Sequence, residues 1–173
     1  MNIFVLDHDI EKSVAYHNNW HVCKMPTEAF QILITSICSI CPEEITPLNK
    51  TGNNYKPVKN KNHGSCVWAR TCRENFQYTL NYFELLCQEY NYRYGKENFT
   101  YRYLDWVYQY INRFDPQGRL TKFYLAMPDQ YKLSDTVLSY RQYYLKEKMS
   151  DKNGVPAKWT KRSIPFWTHH NRV

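Results

Sequence analysis

Long apolar runs, glycine and the glycine-rich motifs of several large enzyme classes are scarce or missing in this sequence. No stretch approaches the about 18 to 20 consecutive apolar residues that cross a bilayer, and no basic region precedes the first apolar run. We therefore expect a soluble, cytoplasmic protein without a membrane partner. Only five glycines occur, and the motifs GxxxxGK, GxGxxG and GxSxG are absent, which excludes P-loop kinases, dinucleotide-binding enzymes and α/β-hydrolases.

Metal-ligating residues are present, but their pattern is incomplete. His17 and His21 have the spacing of two ligands on one helix, yet the glutamate that follows the first histidine of a zincin is missing. Cys38-x-x-Cys41 has no second CxxC to complete a zinc site. The six cysteines fit cytosolic free thiols better than disulfides. We predict no bound metal and no cofactor.

Aromatic residues are abundant, and the apolar pattern is that of helices. The 173 residues are 43% apolar and include 16 tyrosines, enough to bury one core. Alternating strand patterns are nearly absent, so we predict a mainly α fold, a single compact helical domain spanning 1–173. The run Asn2–Leu6 (the N-terminal arm) is predicted as a short buried strand or an extended segment.

Caps and turn residues divide the chain into five predicted helices. Asp7 or Asp9 caps the first helix, and Pro26 either kinks the second helix or starts a new one. A proline-containing loop at 41–62 and a basic, irregular segment at 149–173 complete the chain. The helices are predicted over about 10–17, 19–41, 65–92, 100–112 and 135–148.

The net charge of +7 is concentrated in two segments. Residues 50–75 carry six Lys or Arg against Glu74, and residues 141–173 carry eight against two acidic residues, so the rest of the chain is net −4. Basic segments on an acidic body are typical of proteins that bind polyanions, because phosphate contacts release counterions. Aromatic and asparagine side chains interleave with both segments, which favours nucleic acid over a merely solvated basic surface.

One face of the second predicted helix concentrates polar side chains. His21, Lys24, Glu28 and Gln31 recur there at helical spacing, and His17 lies one turn before them. Such a stripe suits the wall of a catalytic cleft. Alternatively, it is a solvated face with an ordinary Lys24–Glu28 ion pair.

The segment Asn62–Ser65 precedes the third predicted helix, which carries Trp68 and Arg70 in its first turns. Free N–H groups at a helix start, flanked by His63, favour a phosphate site. Ordinary capping by Ser65 is the alternative.

Blocks that match one family run in order along nearly the whole chain. They are Met1–Asp7, Tyr16-His17, His21–Met25 with Glu28 and Gln31, Tyr55–Pro57, Asn62-His63 with Trp68 and Arg70, Glu89-Tyr90 with Arg93–Lys96, Ala126–Asp129, Tyr140–Tyr144 with Glu147-Lys148, and Trp159 with Arg162, Pro165 and Trp167. The chain thereby resembles small phage and bacterial proteins that open with MNIFVLD and are often labelled pyrimidine-dimer DNA glycosylases. It departs from their pattern at Asn19-Trp20, where relatives have Asp-Lys, and at His63-Gly64, where they have His-Pro.

The resemblance implies a DNA-acting enzyme, a glycosylase or glycosylase/lyase on damaged or modified bases, located in the host cytoplasm if a phage encodes it. That chemistry needs a carboxylate and an amine nucleophile beside an unstacked base. We expect Glu28 as the carboxylate and Lys24 or the α-amine of Met1 as the nucleophile. Histidines that orient groups or move protons are expected at His17, His21 and His63.

DNA is the expected partner, bound through its phosphate backbone and an unstacked base. Two alternatives are a non-catalytic phage protein that binds nucleic acid or another partner, and an enzyme that acts on a free nucleotide. The expected DNA contacts are basic and aromatic residues: Lys56, His63, Trp68, Arg70, Arg93, Lys96, Arg141, Lys148, Trp159 and Arg162.

Overall fold

Six α-helices carry the fold of residues 1–169, the part of the chain that the computed structural model describes. Four short 3₁₀ turns accompany them, and these residues contain no β-strand, which confirms the mainly α prediction. Arg172 of the C-terminal basic segment lies outside the described residues. No helix within them combines the length and the apolar character that a membrane span needs. The helices are α1 (Ile10–Ala15), α2 (Asn19–Ile40), α3 (Gly64–Arg70), α4 (Arg73–Tyr94), α5 (Leu104–Tyr108) and α6 (Thr136–Glu147).

The centre of the fold is the pair α2 and α4, each of 22 residues and therefore roughly 33 Å long. The two helices pack side by side, with the rings of Phe30 and Phe83 5.5 Å apart, and α3 packs across both. Pro26 is buried inside α2, which continues through it, so no new helix starts there. Both rings are completely buried, and burying each contributes about 1.5 to 3 kcal/mol.

The N-terminal arm is buried in extended form among the helices. With no partner strand, its backbone groups bond to side chains instead. The N–H of Phe4 donates to the Tyr82 hydroxyl at 3.3 Å, and the N–H of Leu6 donates to Ser13 Oγ at 2.8 Å. Ser13 Oγ donates in turn to the Phe4 carbonyl, and Arg141 Nε donates to the Leu6 carbonyl at 2.7 Å. Within the described residues the arm belongs to no helix and no strand, so the predicted strand does not form.

The predicted helix over 65–92 is wrong in one respect, because an extended residue divides it into α3 and α4. Cys72 has φ −157° and ψ 168°. Asn75 Nδ2 donates to the Trp68 carbonyl at 2.8 Å and so satisfies the end of α3, while Asn75 Oδ1 accepts the N–H of Thr121 at 3.0 Å. Long-range hydrogen bonds therefore stabilise a break that helical periodicity does not reveal.

The predicted helix over 100–112 is divided as well. It consists of the 3₁₀ turn Phe99–Tyr103, then α5, then the 3₁₀ turn Ile111–Arg113. Aromatic residues crowd this stretch and lose rotamer freedom in a helix, which weakens its helical preference. The remaining predicted helices agree with α1, α2 and α6 to within two residues at each end, and Asp9 is the residue that caps α1.

A buried ion network attaches the C-terminal segment to α4. Glu89 accepts from Arg93 Nε at 2.7 Å and from Nε and Nη2 of Arg162 at 3.0 and 2.7 Å. Arg93 is buried and also donates to the Ala15 carbonyl and to Asn19 Oδ1. Burial alone raises the pKa of Glu89, but the hydrogen bonds and charges of Arg162 and Arg93 outweigh it and lower the pKa. The network is therefore an internal structural unit.

Removal of the Glu89 charge should destabilise the fold strongly, because it leaves the buried Arg93 guanidinium without a counter-charge. We expect Glu89→Gln to lower the free energy of unfolding by about 3 to 5 kcal/mol, measured by urea denaturation. Asp129→Asn, which breaks an exposed ion pair with Lys132, is the control and should leave the urea midpoint nearly unchanged. A Glu89→Gln protein as stable as the wild type would show that the network contributes no stability.

Candidate active site

A cavity of about 260 Å³ lies between the N-terminal arm, α2 and the end of α6. Four residues to which the sequence analysis gives catalytic roles line it together. They are Met1, His21, Lys24 and Glu28. The cavity therefore unites one face of α2 with the start of the chain, a combination that helical spacing alone does not predict.

Glu28 lies between two primary amines. Its Oε1 is 3.1 Å from Lys24 Nζ, and its Oε2 is 3.9 Å from the α-amine of Met1. The side chain of Glu28 is 22% exposed, so the carboxylate is neither sealed nor fully solvated. The spacing of four residues on α2 accounts for the contact with Lys24, whereas the contact with Met1 depends on the N-terminal arm. Lys24 is 56% exposed, as in an ion pair on a helix surface, and the contact with Met1 is what this arrangement adds to such a pair.

Asn2 holds the start of the arm at the cavity. Its Nδ2 donates to the Ala126 carbonyl at 2.9 Å, and its Oδ1 accepts from the Tyr140 hydroxyl at 2.8 Å and from the N–H of Ile3 at 2.9 Å. These bonds fix Asn2, the residue next to Met1, between α6 and the segment that precedes α6. Nothing in the sequence around Asn2 indicates this role.

An aromatic wall closes one side of the cavity. Phe4 stacks on His21 with ring centroids 4.6 Å apart, and its ring is nearly parallel to that of Tyr143, at 6.2 Å and 9°. Lys148 Nζ lies 4.9 Å from the centroid of the Tyr143 ring. Phe4 is itself buried between the His21 and Tyr143 rings, so the partly exposed part of this wall is the Tyr143 ring with Lys148 over it.

His21 lines the cavity and is kept neutral. Its Nδ1 lies 2.8 Å from the hydroxyl oxygen of Tyr144. Burial first, then the neighbouring His17 and the positive charges of Lys24 and Lys148, lower the pKa of His21 well below 6.5. A neutral imidazole can give or accept hydrogen bonds, but it is not a cation at neutral pH.

His17, expected among the catalytic residues, lies behind the cavity instead. Its Nδ1 donates to the Ser13 carbonyl at 2.8 Å, so its Nε2 accepts from the Tyr82 hydroxyl at 2.8 Å. The side chain is completely buried, and burial lowers its pKa to about 4. Both ring nitrogens are occupied internally. The predicted catalytic role of His17 is therefore corrected to a structural one, support for the arm and for Tyr82.

His63 caps α3 rather than leaving a free helix start for phosphate. Its Nδ1 accepts the N–H of Ser65 at 3.2 Å. Burial and the Met1 α-amine lower the pKa of His63, while Glu28 raises it. The charges of Met1 and Glu28 therefore act on His63, although His63 does not line the cavity. Arg70 is bound to the preceding loop, with Nη1 donating to the Lys61 carbonyl. The guanidinium holds that loop in place.

The two departures from the family pattern lie outside the cavity. Asn19 forms a reciprocal pair with Thr160, donating to its hydroxyl and accepting its N–H, both at 2.9 Å. Trp20 is exposed. Gly64 lies beneath the ring of Tyr124, which any Cβ at this position would overlap. A larger residue at position 64 would therefore require the exposed side chain of Tyr124 to move.

Several expected DNA contacts are occupied inside the protein. Trp68 and Trp159 are buried, and Trp159 Nε1 donates to a backbone carbonyl. Arg141 pairs with Asp7 at 2.8 Å in addition to its bond to the arm. Arg93 and Arg162 are bound to Glu89, as described above. Burial contradicts the predicted DNA contacts of Trp68, Trp159 and Arg93. Arg141 and the exposed Arg162 are paired with carboxylates, whereas Lys56 and Lys96 are exposed and Lys148 borders the cavity.

The two basic segments attach to opposite ends of α2, on either side of the cavity residues. The N–H of Val58 donates to Thr35 Oγ1 at 3.1 Å, and the N–H of Asn19 donates to the Lys158 carbonyl at 2.8 Å. The α2 residues of these contacts are separated by roughly 24 Å of helix. Lys24 and Glu28 lie between them along α2.

No protein-family model, curated protein or solved structure matches this chain. Within residues 1–169, no group of three or more His, Cys, Asp or Glu side chains is placed to hold a metal ion, and the six cysteines there are free thiols. The chemistry of the site therefore has to be inferred from its amines, its carboxylate and its aromatic wall.

The buried histidines should make the fold less stable in acid. The pKa of His17 is about 4 in the folded protein against 6.5 ordinarily, so the unfolded chain binds more protons between these values. The contribution of His17 to the free energy of unfolding is complete above pH 6.5 and falls by about 3 kcal/mol as the pH drops to 4. His21 acts in the same direction. Urea denaturation from about pH 7 to 4 measures this loss. His17→Gln should flatten the pH dependence, and an unchanged slope in that variant would contradict the assignment.

Proposed function

We propose that this protein is a DNA-acting enzyme, a glycosylase or glycosylase/lyase that removes damaged or modified bases. The observation that carries the proposal is the Glu28 carboxylate between two primary amines, those of Lys24 and Met1, at one open cavity. An amine can attack the sugar carbon that bears a base and form a Schiff base with it. A carboxylate beside it can accept protons and stabilise positive charge on the sugar.

In the proposed reaction, the amine nitrogen bonds to C1′ as the bond from C1′ to the base breaks, and the electron pair of that bond leaves with the base. The nitrogen then loses a proton, its electron pair forms the C1′=N bond as the C1′–O4′ bond breaks, and O4′ takes up a proton, which opens the ring and gives the Schiff base. Removal of a C2′ proton expels the 3′ phosphate, with the electron pair of the C3′–O bond. Water finally hydrolyses the Schiff base and frees the amine. Glu28 is placed to take protons from either amine.

A nucleotide can reach this cavity only if it leaves the base stack. The partly exposed ring of Tyr143 offers a surface for the extruded base, and Lys24 and Lys148 offer charge to neighbouring phosphates. The two basic segments attach to α2 on either side of Lys24 and Glu28. These features support DNA as the substrate.

The resemblance to the MNIFVLD family agrees with this proposal, and we propose membership of that family on the same grounds. Lys24, Glu28 and His21 belong to the blocks that match, and all three line the cavity. The residues that depart from the family pattern do not line it. The proposed chemistry is therefore compatible with both departures.

A free-nucleotide enzyme is the second candidate. The observation in its favour is the small cavity volume combined with three cationic groups facing it, those of Met1, Lys24 and Lys148. Such a site would bind the phosphate of a mononucleotide. A nucleotide enzyme would bind mononucleotides as tightly as DNA, whereas a glycosylase/lyase would form a covalent adduct with DNA.

Covalent trapping on DNA tests the proposed function. Sodium borohydride, which reduces a Schiff base to a stable amine, should link the protein to duplex DNA that carries ultraviolet lesions, alkylated bases or an abasic site. Lys24→Met or acetylation of the α-amine should abolish the adduct, and which of the two does so identifies the nucleophile. Lys146→Met, an exposed lysine of α6 outside the cavity, is the control. No adduct and no strand cleavage on any of these substrates would refute the proposal.

Glu28→Gln tests the carboxylate. The variant should keep the fold and the affinity for DNA but lower turnover by a factor on the order of 100 or more, because a positioned charge is lost at the reacting sugar. Glu11→Gln, an exposed glutamate of α1, is the control. If Glu28 were only a surface partner of Lys24, Glu28→Gln would cost under about 0.5 kcal/mol and leave turnover intact.

A further inference from the structure

His21 has one ring nitrogen bonded within the core and the other facing the cavity. Its Nδ1 lies 2.8 Å from the hydroxyl oxygen of Tyr144, a completely buried residue, and that oxygen accepts the backbone N–H of Asn18 at 2.8 Å. Nε2 has no hydrogen-bond partner among residues 1–169. It is also not among the polar side-chain atoms of these residues that are both buried and without a partner, so it is accessible. It is therefore open to the cavity that His21 lines.

The proton positions follow from these partners. The Tyr144 oxygen already accepts from Asn18, and within residues 1–169 the only acceptor bonded to the hydroxyl is Nδ1 of His21. If Nδ1 carried the ring proton, the buried hydroxyl would be left without an acceptor, which costs free energy. The hydroxyl therefore donates to Nδ1, and the neutral ring carries its proton on Nε2.

The groups around His21 disfavour a second proton on the ring. Phe4 stacks against it, and His17 lies 5.9 Å away, between ring centroids. The positive charges of Lys24 on α2 and Lys148 at the end of α6 act on it as well. Because a charged imidazolium would be desolvated and surrounded by cations, the ring remains neutral at pH 7.

We propose that Tyr144 fixes His21 as a neutral hydrogen-bond donor, and that Nε2–H binds an acceptor atom of the departing base, where negative charge accumulates as the bond to C1′ breaks. The second half of this proposal rests on the proposed glycosylase function. A donor that is already oriented strengthens its hydrogen bond as the charge develops and needs no reorganisation. His21 is then a catalytic residue that acts without transferring a proton, and Tyr144 is a positioning residue.

The donor state is tested on the protein alone by NMR. Long-range ¹H–¹⁵N correlation spectra of the histidine-labelled chain should show His21 as the Nε2–H form at pH 7, with His21→Phe identifying its signals. Tyr144→Phe should shift the Nδ1 signal of His21 and leave His17 unchanged. Tyr82→Phe is the matched control, because Tyr82 also bonds one histidine and one backbone N–H. It should shift the signals of His17 instead.

A His21 signal that shows the proton on Nδ1, or a charged ring at pH 7, would overturn the first half of the proposal. So would a Tyr144→Phe spectrum in which Nδ1 of His21 does not move. These outcomes do not depend on whether the protein acts on DNA.

The role of the donor is tested by single-turnover base release. His21→Phe, which keeps an aromatic ring against Phe4, should lower the rate by about 100-fold or more with unchanged affinity for DNA. Tyr144→Phe should lower it by about tenfold, as loss of an orienting partner does at metal-bound imidazoles. Weaker DNA binding with an unchanged rate in His21→Phe would identify a phosphate as the acceptor and overturn the assignment to the base.

The two proposals can fail separately. If the wild-type protein gives no covalent adduct and releases no base, the glycosylase function is refuted, and the second half of this inference with it. If base release is observed and His21→Phe changes neither rate nor affinity, the glycosylase function stands and the donor role is refuted.

Discussion

The burial of an extended backbone segment without a partner strand is the constraint on which the rest of the structure depends. A buried N–H or carbonyl group needs a hydrogen-bond partner, and the N-terminal arm obtains its partners largely from side chains. Ser13 of α1, Tyr82 of α4 and Arg141 of α6 supply them. Because each of the three comes from a different helix, the arm fixes the relative positions of α1, α4 and α6 much as pairing with a strand would.

Hydrogen bonds within the protein also occupy part of the positive charge of the chain. Arg141 bonds to the arm and to Asp7, and Arg93 is buried against Glu89, while Arg162 pairs with Glu89 from an exposed position. A count of basic residues therefore overstates the charge available to a polyanion. The lysines are more exposed than the arginines. This agrees with the larger free-energy cost of burying the flexible, strongly hydrated ammonium group of lysine.

The sequence predicts features that depend on neighbours along the chain and misses those that depend on distant partners. The extents of α1, α2 and α6 and the polar face with Lys24 and Glu28 follow from spacing and caps. The break at Cys72 does not, because bonds of Asn75 to distant residues stabilise it. The burial of His17 does not either, since a histidine on a polar stripe and a histidine facing Tyr82 look the same in sequence.

Asn19 and Trp20, the residues before His21, bear on which groups at the cavity can take part in proton transfer. Where the resembling family has Asp-Lys, this chain has Asn19-Trp20, and Asn19 accepts hydrogen bonds from both Thr160 and Arg93. A side chain at this position therefore closes the C-terminal segment onto α4 and does not enter the cavity. An aspartate there would place a second carboxylate beside Arg93, which Glu89 already neutralises. Since position 19 lies outside the cavity, Glu28 is the one carboxylate that lines it among the described residues, and any proton transfer to a carboxylate at that site falls to Glu28.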